Sequence, residues 1–224
     1  MRRLATEVLK DCFRPGQKAC LGRNDTGGNH RVHILRQRGV DADRLPREIM
    51  VRENEQLMQR DLYWIDGLWP GKLAIGPRPR GGDWVTDDVA AWERAGLNTA
   101  VSLLTPEEEK DLDLPNEAHA VRERGMRFAS FPISDREVPA SQTELAALLD
   151  KIDHDLTAGK NVIVHCRAGI GRSSLVAACL LTMKGVPPQA AVKKVSAARG
   201  LSVPETKEQR NWIDQYAAML AATK

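Results

Sequence analysis

One stretch of the sequence combines a candidate nucleophile with residues that bind anions. It reads His165-Cys166-Arg167-Ala168-Gly169-Ile170-Gly171-Arg172-Ser173-Ser174. The apolar run 162–164 before it predicts a strand, and the apolar run from Leu175 predicts a helix. Gly169 and Gly171 allow a turn whose successive backbone N–H groups point inward as an anion-binding nest. Because the positive end of the helix adds to this attraction, a phosphate dianion is the natural ligand.

Two side chains give this predicted nest its chemistry. Arg172 carries a planar guanidinium that suits two phosphate oxygens at once. Cys166 lies at the mouth of the nest, and comparable settings lower a cysteine pKa from about 8.5 into the range of about 3.5 to 7.5. A thiolate beside a phosphate site points to attack on phosphorus and a covalent phosphocysteine. Such an oxyanion site needs no metal.

The elements that must position these residues alternate between strands and helices. Strands are predicted at 72–76, 98–104, 126–131 and 161–165. Helices are predicted at 86–95, 115–124, 173–184, 188–198 and 205–222, and another runs from the capping box Ser141 to Glu144 up to Gly159. This alternation predicts an α/β fold with a mostly parallel central sheet of about four to five strands, flanked by helices on both faces. Ligands of such sheets bind at the carboxyl ends of the strands, where the stretch at 165–174 lies.

Composition and cysteine usage narrow the class of protein. The 224 residues are 42% hydrophobic, enough for one packed domain with an appendage. No apolar run approaches the roughly 20 residues of a membrane-spanning helix, and the first ten residues do not resemble a signal peptide. We therefore expect a cytoplasmic protein that does not bind a membrane. The wide spacing of Cys12, Cys20, Cys166 and Cys179 argues against a disulfide scaffold and against zinc.

The positive charge belongs to the start of the chain. Residues 1–60 carry 13 Lys or Arg against 8 Asp or Glu, a balance of +5, while the other 164 residues have 20 against 22. We expect residues 1–60 to be a basic, loosely structured or partly helical extension, with a short helix near 46–59, and residues 61–224 to be the functional domain. The positive residues form no cluster, so nucleic acid is not expected to bind. Whether the natural start is Met1, Met50 or Met58 stays open.

The pattern His165-Cys166-x5-Arg172-Ser173 resembles the signature of the cysteine-dependent phosphatases. Its context resembles the dual-specificity branch, since Ile133-Ser134-Asp135 stands where the tyrosine-specific branch has Trp-Pro-Asp. The resemblance extends over residues 64–221. It implies hydrolysis of phosphomonoesters through a phosphocysteine, without a cofactor, on phosphotyrosine in a phosphorylated protein and also on phosphoserine or phosphothreonine.

The resemblance also implies roles for individual residues. Asp135 matches the acid that protonates the leaving oxygen, which chemistry of this kind requires; Glu137 is a nearby second candidate, and Asp135 as a simple turn residue is the alternative. Ser173 would donate a hydrogen bond to the Cys166 thiolate, and Gln209 matches a glutamine that positions water, with an ordinary exposed helix residue as the alternative. His165 would hydrogen-bond behind the loop. The phosphate-binding residues implied are Arg167, Ala168, Gly169, Ile170, Gly171 and Arg172.

Two other functions remain open from the sequence. One is a phosphatase of a non-protein substrate: a phosphoinositide, a nucleotide or an RNA 5′-phosphate. The other is a phosphate-binding module without catalysis. The acidic run 107–109 is interpreted as a solvated first turn of a helix and not as a metal site, because adjacent carboxylates on a helix point apart. The sequence says nothing about the oligomeric state.

Overall fold

The structure is a computed structural model that describes residues 62–222. The predicted extension 1–60, with its predicted helix near 46–59, lies outside the described residues. Cys12 and Cys20 also lie outside them, whereas Cys166 and Cys179 are free thiols that are both buried.

Five strands and seven helices follow one another along the described part of the chain. The strands are β1 (Tyr63–Ile65), β2 (Leu73–Pro77), β3 (Leu97–Ser102), β4 (Arg127–Ser130) and β5 (Asn161–Cys166). The helices are α1 (Val85–Arg94), α2 (Pro106–Asp111), α3 (Glu117–Glu123), α4 (Gln142–Thr157), α5 (Arg172–Met183), α6 (Pro188–Arg199) and α7 (Lys207–Ala222). A 3-10 turn at Gly82–Trp84 leads into α1.

The strands form one sheet in the order β1-β2-β5-β3-β4. The pairs β2 with β5, β5 with β3 and β3 with β4 are parallel, and β1 is antiparallel to β2. The prediction of a mostly parallel sheet of four to five strands is therefore confirmed. The sequence prediction missed β1, because a strand of three residues is too short to show an alternating pattern.

Strand β5 shows how the sheet separates two apolar cores. Val162, Val164 and Cys166 face the larger core with helices α4 to α7. Ile163 faces the smaller core with α1 and α3. Helices thus cover both faces of the sheet, which is why the central strands are almost entirely apolar.

Two helix starts are fixed by side-chain caps. At α4 the Ser141 hydroxyl accepts a hydrogen bond from the backbone N–H of Glu144 at 3.2 Å, the first half of the predicted capping box. At α2 both halves of such a box form, between Thr105 and Glu108, with Pro106 at the first helical position. Each cap satisfies backbone donors that the first helical turn leaves without a partner.

The carboxyl ends of the parallel strands meet at one edge of the sheet. The segment 167–171 follows β5 there, α2 follows β3, and the segment 131–141 follows β4. Residues from three separate parts of the sequence are thereby brought together. Within residues 62–222, no helix is both long and apolar enough to span a membrane.

Candidate active site

The loop at 167–171, which we call the phosphate loop, is shaped by a glycine that no other residue can replace without strain. Gly169 has a φ of +67°, in the left-handed region that disfavours side chains. A Cβ at this position would lie 2.5 Å from the carbonyl carbon of Gly76 and 2.8 Å from the nitrogen of Pro77, both backbone atoms of β2. The loop therefore packs directly against the end of the neighbouring strand.

The backbone N–H groups of the phosphate loop are available to a ligand. Among the described residues, the five N–H groups from Arg167 to Gly171 donate no hydrogen bond. Two carbonyl oxygens of the loop accept hydrogen bonds from Arg199. Its Nε donates to the carbonyl oxygen of Gly169 at 2.8 Å, and its Nη2 donates to that of Ala168 at 3.4 Å. A run of unpaired N–H groups at the start of a helix is suited to an oxyanion.

Cys166 is the last residue of β5 and lies at the base of the loop. Its side chain is buried. The Sγ atom lies 3.5 Å from the hydroxyl oxygen of Ser173 in the first turn of α5, where either atom can donate. The Ser173 hydroxyl is thus in place to hydrogen-bond a thiolate.

His165 lies on the opposite face of β5, behind the loop. Its Nε2 atom lies 2.8 Å from a carboxylate oxygen of Glu117, and its ring contacts Trp92 with centroids 5.6 Å apart. Both His165 and Glu117 are completely buried. Because successive residues of a strand face opposite sides, His165 and Cys166 do not form a joint metal site.

Arg172 connects three loops at the carboxyl edge of the sheet. Its guanidinium binds the Glu108 carboxylate at two points, with Nη1 to Oε2 at 2.6 Å and Nη2 to Oε1 at 2.9 Å. Nη1 also donates to the carbonyl oxygens of Ile133, at 2.8 Å, and Leu103, at 3.3 Å. Nη2 donates to Asp135 Oδ1 at 2.9 Å. The arginine is buried, and these contacts hold its guanidinium in place at the end of the phosphate loop.

The ion pair between Glu108 and Arg172 shifts the pKa of both groups. Burial alone would raise the pKa of Glu108, but hydrogen bonds from Arg172 and from the backbone of Thr105 hold it below its usual range. Burial alone would lower the pKa of Arg172, but the hydrogen bond to Glu108 and the negative charge of Cys166 raise it. Both groups therefore stay charged across the neutral range.

A count of donors shows what Asp135 does at Arg172. A guanidinium has five N–H groups, two on each Nη and one on Nε. The Nη1 hydrogens serve Glu108 and the two carbonyls, and the Nη2 hydrogens serve Glu108 and Asp135. Within residues 62–222 only the Nε hydrogen has no acceptor. A phosphate held by Nε and Nη2 of Arg172 would therefore compete with Asp135 for an Nη2 hydrogen.

Asp135 reaches this position because the segment after β4 continues along β3. The N–H of Phe131 donates to Ser102 at 2.9 Å and that of Ile133 to Leu103 at 3.2 Å. A turn follows in which Arg136 takes a φ of +64°. The Asp135 side chain is 52% exposed, so it lies at the solvent side of Arg172.

Gln209 is not the exposed helix residue that we considered as the alternative, since it is completely buried. Its Nε2 donates to the carbonyl oxygen of Glu137 at 3.1 Å. Both amide atoms lie 3.0 Å from the point that a Cβ of Gly171 would occupy, and a carboxylate oxygen of the exposed Glu205 lies 2.8 Å from it. Gln209 thus connects the phosphate loop with the segment that carries Asp135.

Sequence reasoning missed Glu108, and its interpretation of the acidic run 107–109 was wrong for this residue. The Glu108 side chain is only 13% exposed and is the main partner of Arg172. Thr105-Pro106-Glu107-Glu108 is itself a capping-box pattern, a signal that could have located the helix start. The pairing with Arg172 carried no sequence signal, since the two residues are 64 positions apart.

A comparison with protein families matches most of the chain. The family model described as "PTP-SAK: Swiss Army Knife protein, DSP-PTPase phosphatase domain" matches residues 60–217. The chain belongs to the DSP-PTPase phosphatase-domain family. It is therefore a member of the dual-specificity branch of the cysteine-dependent phosphatases, as the motif at 165–173 predicts.

Individual relatives of this phosphatase domain agree with the family. "Putative tyrosine phosphatase 197R" of Invertebrate iridescent virus 6 is 34% identical over 110 residues, which cover 46% of this chain and 40% of the viral protein. Cyclin-dependent kinase inhibitor 3 of Homo sapiens is 27% identical over 143 residues, which cover 62% of this chain and 66% of the relative. The chain thus spans less than two thirds of the length of each of these relatives.

A solved structure shows the same fold. The kinase associated phosphatase (KAP), crystallised with its catalytic cysteine replaced by serine, superposes with a TM-score of 0.67 at 22% identity. The match covers 72% of this chain and 96% of that one. The DSP-type architecture therefore accounts for nearly the whole of KAP and for most of this chain.

Proposed function

We propose that this phosphatase domain hydrolyses phosphomonoesters, phosphotyrosine in proteins first of all and also phosphoserine or phosphothreonine, through a phosphocysteine intermediate. The observation that carries the proposal is the buried Cys166 sulfur beside the Arg172 guanidinium, at the base of five backbone N–H groups that have no acceptor among the described residues. The same donors can stabilise a thiolate and the oxygens of a phosphoryl group. We propose that Arg167 to Arg172 provide the phosphate-binding backbone and side chain.

In the first step, the Cys166 thiolate attacks phosphorus and the bond between phosphorus and the leaving oxygen breaks. The protonated Asp135 carboxyl gives its proton to that oxygen, so the alcohol or phenol leaves in neutral form. Arg172 binds the phosphoryl oxygens through Nε and through the Nη2 hydrogen that Asp135 releases. Glu108 keeps the guanidinium in place by its two-point contact throughout.

In the second step, water attacks phosphorus and the bond between phosphorus and sulfur breaks. Asp135, now a carboxylate, takes the proton of the water, and inorganic phosphate leaves. The Ser173 hydroxyl donates a hydrogen bond to the departing thiolate, from 3.5 Å away. Gln209, which lies against Gly171, is the proposed positioning residue for the water.

The proposal is tested by turnover of para-nitrophenyl phosphate by the full chain. We expect release of nitrophenol that saturates with substrate, and its loss in Cys166→Ser, because serine is not ionised at neutral pH and cannot act as the nucleophile. Rapid quenching in acid should trap a phosphate label on the peptide that contains Cys166. Turnover that survives unchanged in Cys166→Ser would refute the phosphocysteine, and a wild-type chain without turnover would refute the enzyme.

The finer parts of the proposal concern substrate and setting. We propose a phosphorylated protein as the substrate, supported by the 34% identity to a protein named as a tyrosine phosphatase. A panel of phosphotyrosine, phosphoserine and phosphothreonine peptides, run beside a phosphoinositide, a nucleotide and an RNA 5′-phosphate, would rank these classes by kcat/KM. We further propose a cytoplasmic location and a catalytic domain at 61–224 that follows a basic extension at 1–60.

A further inference from the structure

Arg199, the last residue of α6, holds the outer side of the phosphate loop. Its Nε donates to the carbonyl oxygen of Gly169 at 2.8 Å, and its Nη2 donates to that of Ala168 at 3.4 Å. The guanidinium lies over the ring of Tyr63, 4.0 Å from the ring centre. One side chain thus joins β1, α6 and the phosphate loop.

The planarity of the peptide bond makes this contact relevant to the opposite side of the loop. In a trans peptide unit the C=O and the N–H point in opposite directions. The carbonyl of Ala168 shares its peptide unit with the N–H of Gly169, and the carbonyl of Gly169 shares its unit with the N–H of Ile170. An arginine that holds both carbonyls therefore also fixes the direction of these two N–H groups.

We propose that Arg199 is a positioning residue that keeps the N–H groups of Gly169 and Ile170 directed toward the oxyanion above Cys166. Gly169 makes such a support necessary, because a glycine lets its flanking peptide units rotate with little steric resistance. Arg199 does not touch the reacting atoms and acts only through the loop backbone. This inference rests on the proposed phosphocysteine chemistry.

The surroundings of Arg199 suit a fixed guanidinium. The planar fork supplies two donors at the spacing of two successive carbonyls, which a lysine ammonium cannot reproduce. The Tyr63 ring packs against the flat face of the guanidinium in a cation–π contact. Gly200 follows in the left-handed conformation, with a φ of +73°, and ends the helix directly after Arg199. The missed strand β1 thus has a position in the site, because it brings Tyr63 under the arginine.

Two variants of Arg199 and one control test the inference. Arg199→Ala removes the fork, and Arg199→Lys retains one donor to Gly169 without the fork or the ring contact. Arg124→Ala is the matched control, since Arg124 directly follows a helix, α3, and among the described residues its one ion pair is with Glu93, at 3.1 Å. Four quantities are measured: kcat/KM for para-nitrophenyl phosphate, inhibition by vanadate, alkylation of Cys166 by iodoacetamide near pH 6 with the peptide identified by mass, and the melting temperature, which shows whether each variant is folded.

We expect Arg199→Ala to weaken vanadate inhibition and to lower kcat/KM by about 10- to 100-fold, the scale of a small misplacement of catalytic groups. Cys166 should be alkylated more slowly, because fewer donors stabilise the thiolate. Arg199→Lys should lie between Arg199→Ala and the wild type, and Arg124→Ala should match the wild type.

The outcomes separate this inference from the proposed function. A folded Arg199→Ala that equals the wild type in vanadate inhibition and in Cys166 alkylation overturns the positioning role. If Arg199→Ala does not fold, Arg199→Lys decides, and wild-type values in that variant overturn the role as well. A wild-type chain that does not hydrolyse para-nitrophenyl phosphate refutes the proposed function, whereas vanadate binding and alkylation still test Arg199.

Discussion

Arg172 is the residue on which the loops of the site converge. It is the first residue of α5, directly after the phosphate loop, and its partners are the helix after β3, through Glu108, and the segment after β4, through Asp135. A buried cation needs such partners, because an unpaired charge in the protein interior is strongly unfavourable. The guanidinium is therefore preorganised for an anion before the anion arrives, which reduces the free energy that binding must spend on ordering.

In the proposed mechanism Asp135 first binds Arg172 and then protonates the leaving oxygen. The variant Asp135→Ala distinguishes these two roles, because the first affects phosphate binding and the second affects turnover. We expect turnover to fall by about 10² to 10⁴, the usual contribution of a positioned acid. Inhibition by inorganic phosphate should be retained or become tighter, because the substitution frees one Nη2 hydrogen of Arg172 and removes a negative charge from the site. The measurements are kcat and the inhibition constant for phosphate.

Glu137→Ala is the matched control for Asp135→Ala. Glu137 is exposed in the same segment, and among the described residues it makes hydrogen bonds through its backbone alone, from its N–H to Ser134 at 3.0 Å and at its carbonyl oxygen from Gln209. Its side-chain removal should change kcat no more than a few-fold. A normal kcat in Asp135→Ala, or an equal loss in Glu137→Ala, would reject Asp135 as the acid.

At the scale of elements, the phosphate loop is defined by the two strands beside it. β5 presents Cys166 at its end, and the parallel strand β2 ends beside it, with Pro77 in register with Cys166. The loop turns tightly over the end of β2 because Gly169 has no side chain. The anion site is therefore a consequence of the pairing between β2 and β5, as well as of the motif itself.

Two glycine substitutions test this element. Gly169→Ala and Gly125→Ala both place an alanine in the left-handed region, with φ of +67° and +72°, at a cost of about 1 kcal/mol. Only at Gly169 would the Cβ meet backbone atoms, 2.5 Å away; at Gly125 nothing lies within 4 Å. We expect Gly169→Ala to lose vanadate binding and turnover, whereas Gly125→Ala should lose only a little stability.

The comparison is made by vanadate inhibition and by chemical unfolding of both variants. The shared left-handed strain cancels between them, so the difference measures the contact between the loop and β2. Equal activity of the two variants would show that the loop does not need this close packing.

At the scale of the whole molecule, helix α7 closes the larger core with an aromatic pair. Trp212 and Tyr216 stack with ring centroids 5.8 Å apart, and Tyr216 is completely buried. Its hydroxyl has no hydrogen-bond partner among the described residues. Burial raises the pKa of Tyr216 to about 12, with smaller contributions from the charges of Cys179 and Asp150.

This shift predicts a loss of stability at alkaline pH. The unfolded chain loses the Tyr216 proton near pH 10, before the folded chain does, so this stability is complete below pH 10 and is lost as the pH rises toward 12. Tyr216→Phe removes this titration. From pH 7 to pH 11 its free energy of unfolding should therefore fall by about 1 kcal/mol less than that of the wild type. Urea unfolding of both proteins at the two pH values measures it.

Tyr216→Phe should be at least as stable as the wild type at pH 7, because a buried hydroxyl without a partner contributes no net hydrogen bond. Other groups that titrate at alkaline pH are present in both proteins and cancel in the comparison. Parallel loss of stability in both proteins would show that Tyr216 does not titrate as described.

The fold class, the family motif and most of the strands and helices could be predicted from the amino-acid sequence. These features depend on residue types at short, regular spacings: the apolar runs of the central strands, the caps of the helices, and the glycines behind Cys166. Strand β1 was not predicted, because three residues are too few to show a periodic pattern. The partial burial of Glu108 was not predicted, because its partner Arg172 is distant in the sequence.

The contacts between distant side chains at the carboxyl edge of the sheet could not be predicted in this way, because they depend on the packing of the strands. Glu108 and Arg172 are 64 positions apart, Asp135 and Arg172 are 37 apart, and Arg199 and Gly169 are 30 apart. These contacts follow from the strand order β1-β2-β5-β3-β4, which places the loops after β3, β4 and β5 side by side. The strand order arises from the packing of the whole chain. Local sequence patterns therefore indicate which chemistry a residue can perform, but not which residues it contacts.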